Sequence, residues 1–359
     1  MRYPSIDILR TFAIVLMVLV HFSENLSGKT WAFAGFGAPM FAFLSGISYR
    51  LWLDSRERRG ASDDAISLAT IRRGLFLFFL GFVFNVLVWL PQDTFNWDVL
   101  TFIGVATLGL NVARKLPEPV VLTAIGLALF LGPVLRLESD YASYWNDGSY
   151  DYDPNVTDVL LGFLANGYFP IFPWVAYPLA GFLTAQRVFA PPPDELPRWR
   201  GAALLGGTLL LLSFVPGALT ATGLESERWL PSRWTMFPPS LTYVLRTFGV
   251  CLTTFSLGHR WLDRNRRWSL GPRIGEFFGT FSRRSLSIYL LHHLLHIWPL
   301  WIWTALQGME PTALWRKALP IETAVPLAIV GLAVCWGVAR LMEVRRIDGV
   351  EGWMRRLCD

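Results

Sequence analysis

Charge is scarce in this chain. Asp, Glu, Lys and Arg supply 16% of its 359 residues, against about a quarter in a soluble domain. So little polar surface cannot cover a water-facing globule. Cysteine is nearly absent: Cys251 and Cys335 sit in apolar runs and Cys358 in the C-terminal tail. No disulfide framework is expected. No HExxH pattern occurs, and no polar segment is long enough to form a second, soluble domain. The chain therefore reads as one unit over residues 1–359.

Aromatic and apolar residues are plentiful. Hydrophobic residues make up 53%, and 17 Trp and 26 Phe fit a lipid-facing surface with aromatic belts. Spanning the hydrocarbon core takes roughly 20 helical residues. Runs of suitable length lie near 6–24, 32–53, 70–90, 98–113, 118–135, 168–189, 201–220, 237–258, 283–304 and 321–341. The fourth is short, and Pro170, Pro173 and Pro178 break the sixth. These runs predict an all-α, polytopic membrane bundle of about ten transmembrane helices. Arg2 and the apolar run from Thr11 to Val20 imitate a signal peptide. Asp7 and Arg10 interrupt it and no cleavage site follows, so a retained first membrane helix is expected.

The loops carry the orientation. With the N-terminus inside, the inner segments hold Arg50, Arg56, Arg58, Arg59, Arg72 and Arg73, then Arg114 and Lys115, then Arg187, Arg198 and Arg200. Further inner segments hold Arg260, Arg264, Arg266, Arg267, Arg273, Arg283 and Arg284, and the tail from Arg340 to Arg356. The outer segments hold only Lys29, Arg136, Arg228, Arg233, Arg316 and Lys317. The positive-inside rule then puts both termini in the cytoplasm and favours an even helix count. It also absorbs the net charge of +5 without a nucleic-acid partner. Two loops stand apart: an acidic, aromatic outer stretch from Leu137 to Asp158, and a stiff Pro-rich inner connector from Ala190 to Pro197.

Ionisable groups within membrane helices are costly and usually functional. The first helix has three: Asp7, Arg10 and His21. Eleven residues separate Arg10 from His21, about three full turns, so both lie on one face roughly 16 Å apart. Asp7 is placed to pair with Arg10. A cation at one end can hold an anionic donor such as a nucleotide phosphate, and an imidazole deeper in the bundle can act as a general base. The plainer alternative is an Arg10 that snorkels to the headgroups with Asp7 and an interfacial His21.

Other candidates follow from depth. Asp98, opening the fourth helix at a depth similar to His21, either orients the imidazole or caps its own helix. Asn85 lies in the outer half of the third helix. His292, His293 and His296 cluster in the ninth, with no Cys or carboxylate in that helix, so an active-site or packing role is expected and no metal. Trp145, with Tyr141, Tyr144, Tyr150 and Tyr152, stands among aspartates in the outer loop. It either holds a sugar or amine or anchors the loop at the interface. His259 and Asp263 have one residue too few between them for a His-x4-Asp acyltransferase signature and receive no catalytic role.

Five stretches together resemble the transmembrane acyltransferase superfamily, which includes the heparan-α-glucosaminide N-acetyltransferase catalytic domain and the bacterial glycan O-acyltransferases. They are SIDILRTFAIVLMVLVHF (Ser5–Phe22) with its Arg-x10-His spacing, GAPMFAFLSGIS (Gly37–Ser48), DVLTFIG (Asp98–Gly104), FPIFPWVAYPLAG (Phe169–Gly181) and SLSIYLLH (Ser285–His292). FLSGIS and FPIFPW look closer to the heparan-type branch. The resemblance implies a cytoplasmic acyl-CoA donor, acetyl-CoA foremost, and a carbohydrate acceptor on the outer side. The family's His and Arg fall on His21 and Arg10.

On this reading Arg10, Arg72, Arg73, Arg283 and Arg284 bind CoA phosphates. His21, Asp98 and His292 form the catalytic group, and Asn85 and Trp145 contact the acceptor. Two mechanisms stay open: direct transfer with His21 as base, and an acyl-histidine intermediate. The expected partners are the lipid bilayer, acyl-CoA and a carbohydrate, with a homo-oligomer compatible and a bacterial inner membrane as the setting. The rival class is a transporter or flippase of a glycan or lipid-linked precursor, which broken helices and buried charges also suit.

Overall fold

The protein is described here from a computed structural model covering residues 3–31, 33–146, 148–189, 198–222, 233–264 and 270–359. The Pro-rich connector 190–197 lies outside the described residues, as do Arg2, Asp147, Arg228, Arg266 and Arg267.

Fifteen α-helices are described. They are α1 (Pro4–Ser27), α2 (Gly37–Glu57), α3 (Asp63–Val88), α4 (Val99–Ala113), α5 (Glu118–Glu138), α6 (Val156–Leu161), α7 (Ile171–Trp174), α8 (Ala176–Val188), α9 (Arg198–Leu212), α10 (Val215–Ala221), α11 (Leu241–Gly258), α12 (Pro272–Arg283), α13 (Ser285–Leu306), α14 (Ile321–Val344) and α15 (Val350–Cys358). Local chemistry sets several boundaries. The side chains of Ser62, Asp98, Asn155 and Ser240 accept hydrogen bonds from backbone N–H groups at the starts of α3, α4, α6 and α11. α1 ends at Gly28, whose φ of 66° favours glycine.

Seven helical stretches among the described residues are long and apolar enough to cross a membrane: Pro4–Ser27, Asp63–Val88, Asp93–Ala113, Glu118–Glu138, Val156–Val188, Arg198–Ala221 and Ile321–Val344. The chain is an integral membrane protein. The other three expected runs are also helical: α2, α11 and α13, with 21, 18 and 22 residues. α13 dilutes its apolar character with three histidines. The sixth run is interrupted as its prolines predict. Phe172 is non-helical inside α7, and Pro178 falls in the first turn of α8, where its missing N–H costs no helical bond.

Two features depart from the sequence reading. The outer loop contains a small antiparallel hairpin, β1 (Trp145–Asn146) and β2 (Ser149–Tyr150), with Trp145 opposite Tyr150, so the bundle is not purely α-helical. Gly148, at φ 74°, supplies the left-handed residue of its turn. Helices α12 and α15 were not anticipated, because neither is a continuous apolar run.

α1 is the hub, packing against α2, α11, α12, α13 and α14. α2 and α8 cross at Gly46 and Gly181, where a Cβ on either would overlap the partner's backbone carbonyl, Pro178 O or Phe43 O. Small residues of this kind let membrane helices approach closely. The hub position of α1 puts its polar residues inside the bundle.

Candidate active site

Arg10 and His21 do share a face of α1, and each opens into a different cavity. The cavity at the His21 end has a volume of about 700 Å3 and is lined by His21, Asn25, Asn85, Asp98, Trp145, Tyr289, His293 and Trp315, among others. The cavity at the Arg10 end, about 490 Å3, is lined by Arg10, Ser48, Trp52, Arg73, Ser282, Arg283, Arg284 and Arg355, among others. Phe41, Val99 and Tyr289 line both. The two cavities adjoin at these three residues, which form the partition between them.

The arginine end is a basic pocket whose charges are held in place. Arg10 donates to the Ser282 carbonyl at 3.2 Å and to Ser282 Oγ at 2.9 Å, and also to Ser48 Oγ. Asp7 lies one turn away and adds to the field at Arg283. Arg283 makes a two-pronged bond to Glu343, at 2.5 and 2.8 Å. Arg284 donates to the Ile347 carbonyl at 3.2 Å. Arg73 lies over Trp52 and pairs with Asp359 at 2.5 Å. Arg72 is exposed and is not part of this lining. Successive helical residues point about 100° apart, so only one of the two adjacent arginines faces the cavity.

At the other end the histidines form a relay. His292 Nδ1–H donates to the Ile288 carbonyl at 3.1 Å. With the rings neutral, its Nε2 must then accept, and it does so from His21 Nδ1–H at 2.9 Å. This leaves His21 Nε2 with its lone pair. The same logic runs one turn on. His296 Nδ1–H donates to the His292 carbonyl at 2.6 Å, its Nε2 accepts from Asn25 at 2.9 Å, and Asn25 Oδ1 accepts from Trp315 Nε1 at 3.2 Å. One ring nitrogen each of His21, His292 and His293 lie within 4.8 Å of one another. Those three are the described residues best placed to hold a metal ion.

Of the two readings for Asp98, the helix cap holds, and its second oxygen turns to Tyr289 in place of His21. Its Oδ1 accepts from Leu100 N at 2.8 Å, capping α4, and its Oδ2 accepts from the Tyr289 hydroxyl at 2.6 Å. It lines the same cavity as His21, but the imidazole is oriented by His292. Depth was legible in the sequence; the direction each side chain takes around its helix was not. Tyr289 was missed because a tyrosine in an apolar helix reads as packing. Only its place three residues before His292, on the same helical face, hinted otherwise.

Asn85 is 1% exposed and donates to the Thr94 carbonyl at 3.0 Å, while its Oδ1 has no protein partner. Trp145 stacks between Tyr141 and Phe237 and donates to the Asn166 carbonyl at 3.0 Å. Arg316 joins this hairpin to α1, contacting Gly148 O at 3.4 Å and Glu24 at 3.3 Å. His259 and Asp263 bond to each other at 2.9 Å, and Asp263 also accepts from Ser5 N at 3.0 Å and Ser5 Oγ at 2.5 Å. This is an anchor for the start of α1, in neither cavity.

No curated protein matches the chain. The sequence model described as heparan-alpha-glucosaminide N-acetyltransferase, catalytic, matches residues 2–212, more than half the chain. That stretch includes Arg10, His21, Asn85, Asp98 and Trp145. The chain belongs to this family and is, in general terms, a membrane acetyltransferase.

Proposed function

We propose that this single-domain protein, with about ten spans and both termini cytoplasmic, transfers an acetyl group from cytoplasmic acetyl-CoA to a glycan amine or hydroxyl on the outer side. The setting is a bacterial inner membrane. One observation carries the reading: Arg10 and His21, on one helix, line two cavities that meet at the Phe41, Val99 and Tyr289 partition.

The arginine end suits the donor. Arg10, Arg73, Arg283 and Arg284 offer planar, permanently charged groups to the phosphates of CoA. The thioester reaches the partition, and the acceptor enters from the aromatic end, where Trp145 is part of the wall and Asn85 Oδ1 offers a hydrogen-bond acceptor. His21 Nε2 takes the proton of the attacking amine or hydroxyl as the new bond to the carbonyl carbon forms. The His292 nitrogen facing His21 Nδ1–H stabilises the imidazolium. The C–S bond then breaks, and the thiolate leaves with the proton returned by His21. Asp98 takes part through Tyr289, as a positioning residue for the partition.

The test is thioester consumption by purified protein in detergent, with acetyl-CoA and a panel of glucosamine-containing and hydroxyl acceptors, beside His21→Ala. Acceptor-dependent CoA release that falls by about 10²–10⁴ in the variant supports direct transfer with His21 as base. Acetyl-enzyme trapped without acceptor replaces it with the acyl-histidine route. No donor binding and no turnover move the reading to a transporter.

A further inference from the structure

His293 is the one histidine of the cluster that the relay leaves out. It is 2% exposed and lines the cavity with His21, yet neither of its ring nitrogens has a hydrogen-bond partner in the protein. His21, His292 and His296 are each tied to a partner. The walls around His293 are rings: Phe84 at 5.0 Å, Trp89 at 5.7 Å, Tyr289 at 5.2 Å and His21 at 4.6 Å between centroids. A neutral imidazole in such a place carries a donor and an acceptor that nothing satisfies, which is costly. Buried polar groups in membrane helices are kept for function.

We infer that His293 is a second catalytic imidazole, whose N–H donates to the thioester carbonyl oxygen and stabilises the negative charge that develops there. This rests on the acyl-transfer reading above. Both rings line one cavity, and one ring nitrogen of each lies within 4.8 Å of one of the other, close enough for one bound acetyl group to meet both rings. The division of labour also fits. His21 has a fixed tautomer and a neighbour to take up charge, as a base needs. His293 has neither, and is free to present its N–H to an oxygen. No proton is transferred from His293: the oxygen gains charge as the nucleophile bonds to carbon, and returns it as the C–S bond breaks.

The test compares wild type, His293→Phe and His293→Gln in detergent, using acetyl-CoA with the acceptor found active for wild type. His293→Phe should lower kcat by about 10²–10³, with KM for acetyl-CoA changed less than about threefold. His293→Gln, which keeps an N–H near the same reach, should recover at least about tenfold of that loss. The infrared carbonyl band of bound 13C-acetyl-CoA should shift to lower frequency in wild type and in His21→Asn, and lose the shift in His293→Phe. Should His293→Phe fail to fold, His293→Leu, which also lacks an N–H, takes its place in both the kinetics and the infrared measurement.

A kcat preserved in His293→Phe, or a carbonyl band that ignores residue 293, overturns the inference and leaves the acyl-transfer reading standing. Stoichiometric zinc lost in His293→Gln also overturns it, making His293 a metal ligand. A wild type that neither binds acetyl-CoA nor releases CoA overturns both.

Discussion

The Tyr289 hydroxyl donates to Asp98 Oδ2 at 2.6 Å, bolting the histidine-bearing helix α13 to the N-terminus of α4. Asp98 has its other oxygen committed to the Leu100 N–H, so the pair joins a helix cap to the partition between the cavities. Tyr289→Phe keeps the ring in the wall and removes only the donor. It should destabilise the protein by about 1–3 kcal/mol, the usual cost of leaving a buried acceptor unpaired. Thermal unfolding in detergent reads that loss. Acetyl-CoA affinity should hold, because the arginines of the donor pocket are unchanged, and a donor titration checks it.

His292 should matter through His21. His292→Phe keeps bulk but removes the nitrogen that receives His21 Nδ1–H, so His21 loses its fixed tautomer. Activity should fall by about 10–100-fold, the range seen when a histidine's outer partner is lost, and less than in His21→Ala. Initial rates with saturating donor and acceptor check the order of the two effects.

At the basic pocket, Glu343 occupies both prongs of Arg283. Glu343→Gln leaves the guanidinium in place with its charge no longer cancelled. An added charge-assisted bond of about 1.5 kcal/mol corresponds to a KM for acetyl-CoA about tenfold lower at low salt. The gain should shrink as ionic strength rises. A KM that rises instead would show that Glu343 serves to hold Arg283 in position.

The outer loop carries a pH signature. Burial, then the hydrogen bond and charge of Asp158, push the Tyr144 phenol up to about 12, above its ordinary value of 10.0. A group whose folded pKa is raised adds stability that is complete below the unfolded value and fades as pH climbs through the folded one. The loop should therefore hold up to about pH 10 and loosen between about 10 and 12. The tyrosinate difference spectrum follows this, and Tyr144→Phe should reduce the part of the step below about pH 12, since burial raises the neighbouring Tyr141, Tyr150 and Tyr152 as well.

The sequence carried the bundle well because membrane helices announce themselves by apolar length. Seven of the expected runs fall in helical stretches long and apolar enough to cross a membrane, α2, α11 and α13 cover the other three, and Arg10 and His21 share a face as 3.6-residue periodicity requires. What stayed hidden is azimuth. Nothing in a one-dimensional chain reveals that His21 turns to His292 while Asp98 turns to Tyr289, or that Arg73 faces the pocket when Arg72 does not. Amphipathic α12 and α15 escaped a search for apolar runs. Yet α15 returns to the site through Glu351, which accepts from Ser287 N at 2.8 Å and Ser287 Oγ at 2.6 Å at the start of α13.

The wall that Phe41, Val99 and Tyr289 form between the two cavities has an electrical consequence. With water and ions entering the cavity on either side, the membrane voltage would drop mainly across that wall instead of over the full bilayer. A neutral acetyl group could cross that field without doing electrical work. A proton could not, so on the proposed route its return from His21 to the thiolate on the donor side would make turnover sensitive to voltage.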